Sequence, residues 1–247
     1  MSKISEEEQI LNALERFQFD YENAVNKEDL PNTIDQNKLW KTVLKLASLP
    51  NQLYAQHFPL FSFYNNVFSS FSENNPALVV QQIENLKKTK NMQNLSNSIK
   101  PYIRVIPFLE IEHIFSLFEI SIKIISYNLK IREDQIPMDF VSVFDDVIIE
   151  DLNRKTFDII VDYFKKMIDT EQKAQVIIIF AFFALTFVKV DEHIDTFVKD
   201  TIKDSLDSSE SITIIAGFHL LSEFSPHYQF DAQSAPEKDF LIDKIFS

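Results

Sequence analysis

Glycine is almost missing from this chain. Gly217 stands alone, where ordinary usage of about 7% would give about 17. Hairpin turns, phosphate-cradling loops and dinucleotide-binding turns draw on glycine for positive φ. The shortage therefore speaks against a β-sandwich, a Rossmann fold or a P-loop enzyme, whereas helices need no glycine inside them. Cysteine is absent, which removes disulfides, thiolate metal sites and cysteine nucleophiles together. Basic residues are also short: 24 Lys and Arg stand against 37 Asp and Glu, for a net charge of −13. Binding to nucleic-acid phosphates wants the opposite sign, and an anionic membrane surface would repel such a chain. Arginine is confined to Arg16, Arg104, Arg132 and Arg154, too scattered in sequence to promise the guanidinium cluster of a phosphopeptide groove. The first residues, Met-Ser-Lys-Ile-Ser-Glu-Glu-Glu, hold no apolar run of a signal-peptide kind, so a cytoplasmic or nuclear protein is expected.

What is present is apolar material in helical register. Hydrophobic residues make up 45% of the chain and 24 of them are Phe. Ser5 and Glu8 form a capping-box pair ahead of Ile10, Leu14, Phe17, Tyr21 and Val25, and predict a first helix ending near Lys27. A second is expected over 35–49 with Leu39, Trp40, Val43, Leu44 and Ala47 inward, stopped by Pro50. A third begins near Phe58, and Asn75-Pro76 opens a fourth. Residues 89–98, rich in Asn, Ser and Gln, read as a loop and a possible subdomain boundary, running into a helix that contains Pro101. Further helices are expected over 110–129, from Pro137, and over 155–169, 171–190, 192–206 and 209–224. A last one starts at Ser234-Ala235-Pro236. The 171–190 segment has 15 uncharged residues between Lys173 and Lys189. A membrane span needs about 20, so it reads as the buried centre of a helical array.

In the last hundred residues an amphipathic helix is followed by a more apolar one, twice. Thr156–Asp169 precedes Ala174–Val190, and His193–Ser205 precedes Ser211–Phe224. The two starts, Thr156 and His193, lie 37 residues apart, within the range of helical-hairpin repeats. On this pattern the chain resembles the HEAT/armadillo-like α-solenoids, most clearly over 155–246. The segment Ser211-Ile-Thr-Ile-Ile-Ala-Gly-Phe-His-Leu-Leu-Ser-Glu-Phe224 is similar to the second helix of a HEAT repeat, and Val198–Leu206 to a first helix. The usual Pro of the first helix and the intra-repeat Asp and Arg are missing. The resemblance implies an all-α stack of antiparallel hairpins in which Ala216 or Gly217 lets neighbouring helices approach, and a scaffold or adaptor that grips partner proteins. A compact multi-helix bundle is the alternative architecture.

Nothing in the sequence assembles a catalytic, cofactor or metal site. Glu110 and His113 form one Glu-x-x-His pair, but a di-iron bundle needs two, with two further Glu. Asp191-Glu192-His193 sits at an expected helix start, where acids serve capping and the helix dipole. Asp145-Asp146 and Glu150-Asp151 are adjacent on their helices and read as a solvated face. His57 and His227 lie near prolines in expected loops, and His219 reads as a packing residue. The expected function is therefore a non-catalytic, helical-repeat protein-interaction scaffold, with no cofactor, no nucleic acid and no membrane span. A helical-bundle enzyme or ligand-binding domain, and a fragment of a larger solenoid such as an importin-β-like transport factor, are the alternatives.

Overall fold

The computed structural model describes residues 5–23, 34–49, 60, 63–64, 67–68, 77–132, 135–147, 154–184 and 192–224. Among these residues there are ten α-helices and no strand. The first, α1 (Glu6–Glu22), begins with both halves of its capping box. Ser5 Oγ accepts from the Glu8 amide at 3.1 Å, and Glu8 Oε2 accepts from the Ser5 amide at 3.0 Å. It ends at Glu22, short of the expected Lys27, and Val25 lies outside the described residues. In α2 (Gln36–Ala47), Asp35 caps the Lys38 amide, and Leu39, Trp40, Val43, Leu46 and Ala47 are buried. Of the expected third helix, Leu60, Phe63, Tyr64, Val67 and Phe68 are described. All five are helical, and all except half-buried Phe63 are buried.

α3 (Ala77–Lys88) turns Val79, Ile83 and Leu86 inward. The expected loop at 89–98 is mostly helix. Only residues 89–91 are non-helical, and α4 spans Met92–Arg104. Asn91 caps it, its side chain accepting from the Asn94 amide at 2.9 Å. The polar run misled because its Gln, Asn and Ser residues cover the outer face, while Leu95, Ile99 and Ile103 are buried at four-residue spacing. After a 3₁₀ turn at Ile106–Phe108 comes α5 (Ile111–Ile131), the longest described helix. Pro137 opens only the one-turn α6 (Met138–Val141), which tightens into a 3₁₀ stretch, Ser142–Asp146. The apolar residues expected on the helix opened by Pro137 are Phe140, Val141, Phe144, Val147 and Ile148; the first four are nevertheless buried, and Ile148 lies outside the described residues.

The last four described helices are α7 (Arg154–Ile168), α8 (Lys173–Ala184), α9 (Glu192–Leu206) and α10 (Ser211–Phe224). The expected continuation of α8 to 190 and the helix from Ser234 lie outside the described residues. α7 packs on α8 and α9 on α10, each pair joined by a four-residue link, which makes the partners antiparallel. α8 is the hub: it touches α5, α6 and the 3₁₀ stretch, α7 and α10. That environment explains its composition, since Val176 through Phe183 is buried without interruption and a helix apolar all round needs neighbours on every side. Among the described residues no helix is long and apolar enough to cross a membrane.

Aromatic side chains fill the interior in two groups. Trp40 stacks on Phe68 with ring centroids 4.3 Å apart, beside Tyr64 and Phe108. Farther along the chain, Phe118 contacts Phe144, Tyr163, Phe164 and Phe183. Each fully buried large apolar side chain stabilises the fold by about 1.5–3 kcal/mol relative to an exposed one.

Candidate functional site

Among the described residues, the buried charge of Arg104 is committed to structure. Arg104, at the last turn of α4, is 4% exposed. Its Nε and one terminal nitrogen fork onto Asp146 Oδ2 at 2.9 and 2.8 Å. The other terminal nitrogen donates to the carbonyls of Ala47 at 2.8 Å and Leu49 at 2.6 Å, at the end of α2. One guanidinium thus ties α2, α4 and the 3₁₀ stretch after α6 together, and it meets the carbonyl end of α2 where the helix dipole favours a cation. Burial raises the Asp146 carboxyl above its ordinary range, and the Arg104 charge opposes that shift without cancelling it. With those four bonds made, this arginine is a clasp rather than a receptor for an outside anion.

Asp146 therefore departs from the solvated-face reading. It is half-buried under Arg104, whereas Asp145 is exposed; Glu150 and Asp151 lie outside the described residues. Glu110 is the N-cap of α5 and exposed, and His113 sits half-buried in the first turn. Among the described residues no three His, Cys, Asp or Glu side chains come together in a way that could hold a metal ion. His219 is half-buried on α10 with its ring 4.5 Å from that of Phe182, a packing role. His57, Asp191 and His227 lie outside the described residues, as do the side chains of Glu192 and His193.

Three tyrosines, Tyr64 buried and Tyr102 and Tyr163 half-buried, are likewise structural. Tyr64 donates to the Leu14 carbonyl at 3.0 Å, joining its helix to α1. Tyr102 donates to the Gln82 side chain, joining α4 to α3. The Tyr163 hydroxyl is buried with no hydrogen-bond partner among the described residues. Burial pushes Tyr102 up to about 12, and burial with the nearby Glu119 charge does the same to Tyr163.

What remains open to a partner is the surface. Ile215 and Phe218 are each 39% exposed on α10, one helical turn apart. On α10's other side Thr213, Ala216 and Leu220 are buried and Gly217 meets α9. Tyr127 and Ile131 on α5 and Met138 at the start of α6 are exposed as well. Phe19 on α1, at 66%, is the most exposed large apolar residue among those described. On α1 the signal for Phe19 is its departure from the inward stripe of Ile10, Leu14, Phe17 and Tyr21. Comparison with known proteins adds no name to this geometry: no family model, curated protein or solved structure matches the chain.

Proposed function

We propose that the chain is a non-catalytic protein-interaction scaffold built from stacked helical hairpins of the HEAT/armadillo-like kind. The observation that carries this reading is α10. It packs on both α8 and α9, yet it still presents Ile215 and Phe218 to water. A helix that already packs on two neighbours and still turns an apolar pair to water offers that pair to a protein partner. The close approach of α9 and α10 at Gly217 supports the same architecture. Among the described residues that could have hinted at catalysis, His219 packs on Phe182 and Asp146 belongs to the Arg104 clasp.

Affinity purification of the full chain tests the reading. A stoichiometric protein partner is expected with the wild-type chain and is expected to be lost with Ile215→Asp/Phe218→Asp, a variant whose melting midpoint stays close to wild type. Recovery of no partner, or of the same partner by both chains, counts against it.

A further inference from the structure

α1 carries a second face, most of it exposed among the described residues. Ile10, Leu11, Leu14, Phe17 and Tyr21 pack the helix against the core, and the Phe17 ring stacks over Tyr64. With 3.6 residues per turn, Glu8, Asn12, Glu15, Phe19 and Glu22 fall on one stripe turned away from that packing face, and half-buried Leu11 lies at the border between the two. Glu8, Glu15 and Glu22 recur every seventh residue, and Asn12 and Phe19, each four positions after a Glu of that series, are seven residues apart as well. The three Glu are exposed and Phe19 is 66% exposed. An open concavity of about 380 Å³ borders Glu8, Leu11, Asn12 and Glu15. Around it the charge has one sign: α1 holds six acids and one base, Arg16, which faces Asp20 at 3.9 Å.

We infer that this stripe docks a basic amphipathic helix of a partner protein, its apolar residues on Phe19 and the uncovered edge of Leu11 and its Lys or Arg facing Glu8, Glu15 and Glu22. A seven-residue repeat is the spacing at which two helices stay in register along their length, and the helix-on-helix mode is read through apolar anchors with flanking charge. Charge complementarity selects the occupant. A second copy of α1 laid parallel would set each Glu against its own counterpart. Laid antiparallel, it would set Glu8 against Glu22 and Glu15 against itself. Like charges at facing positions penalise both arrangements, and a cationic helix removes the penalty. The inference rests on the interaction-protein reading but uses a different surface from α10.

The test titrates the full chain with a labelled helical peptide of three heptads carrying Lys at the first and Leu at the fourth position of each, followed by fluorescence anisotropy at low salt. Wild type is expected to bind. Phe19→Ala and Glu15→Lys are each expected to weaken binding about tenfold or more, about 1.4 kcal/mol, with melting midpoints unchanged because both side chains are exposed. Asp169→Lys, which changes net charge equally at the far end of α7, is expected to leave binding unaltered. A peptide of the same composition in scrambled order is expected to bind about tenfold more weakly. The inference is overturned by absence of binding, by equal losses in Glu15→Lys and Asp169→Lys, by no loss in Phe19→Ala, or by Phe19-dependent self-association in sedimentation. Failure here with retained partner capture through Ile215 and Phe218 removes the stripe and leaves the scaffold reading standing.

Discussion

Single side chains set the terms on which this fold holds. Arg104 is buried with its charge, so its cost is contained only while Asp146 and the carbonyls of Ala47 and Leu49 face it. Removing one partner of such a pair leaves an uncompensated buried charge and costs about 3–5 kcal/mol, whereas replacing both with apolar groups can be neutral. Asp146→Leu is therefore expected to lower the urea midpoint sharply, and Arg104→Met/Asp146→Leu to recover much of the loss. No recovery in the double variant would mean that the carbonyls at the end of α2 need the guanidinium more than Asp146 does. The tyrosines give a pH signature with a definite sign. Tyr102 and Tyr163 ionise in the unfolded chain near the ordinary value of 10.0 but in the folded protein only near about 12. The native state thus holds protons that the unfolded state releases, so their contribution is intact below pH 10 and declines as pH rises from 10 toward 12. Urea midpoints measured across that window should fall, and they should fall less in Tyr163→Phe. That variant also removes a buried hydroxyl without a partner among the described residues, so at neutral pH it is expected to be as stable as wild type or more so.

At the level of elements, the contact between α9 and α10 is set by the one glycine of the chain. A Cβ built on Gly217 would stand 2.6 Å from Ser205 Cβ, inside any tolerable contact, and Ser205 is fully buried with its hydroxyl turned back to the Thr201 carbonyl at 2.6 Å. Ala is favoured over Gly in a helix by about 1 kcal/mol, but overpacking of a tight interface costs about 1–3 kcal/mol. Because the obstruction is one Cβ against another, the second term is expected to win and Gly217→Ala to be destabilised in thermal melts. Ser205→Gly should rescue it and Ser205→Ala, which keeps the Cβ, should not. This close approach was expected only from the HEAT-like resemblance, which left Ala216 or Gly217 open. The capping box at Ser5 and most of the inward faces of α1 and α2 were legible in the sequence, since they follow from local spacing. The start of α4 was not, because a run of Asn, Ser and Gln carries the same composition whether it covers a helix or forms a loop. The truncation of α6 was not either: its apolar positions serve a 3₁₀ stretch as well as an α-helix. The Arg104–Asp146 clasp joins residues 42 positions apart, a distance no periodicity encodes. Phe19 and its glutamates were visible as a seven-residue spacing, but the stronger inward stripe of the same helix masked them.

Over the whole molecule the opposing terms are a densely aromatic interior and a surface of one sign. The net charge of −13 adds self-repulsion to the compact state that the expanded chain relieves. Electrostatic screening extends over about 30 Å at 0.01 M salt but only about 8 Å at physiological strength, so distant acids on different helices interact at the lower concentration and scarcely at the higher. Raising sodium chloride between those limits is accordingly expected to raise the melting midpoint, by about 2–4 °C for each kcal/mol of repulsion removed. The effect should shrink as pH approaches the isoelectric point. Sulfate is unsuitable for this measurement, because its exclusion from protein surfaces stabilises folded states whatever their charge. A midpoint that falls with added chloride at neutral pH would mean that specific ion pairs outweigh the general repulsion. The described pairs argue against that outcome: Arg16 with Asp20 and Lys87 with Glu84 are exposed or nearly so, where such contacts contribute about 0–1 kcal/mol. The Arg104 pair is buried and screened little. The same salt series separates the two uses of acidity, since a cationic helix held on α1 should be released over the range in which the free protein gains stability.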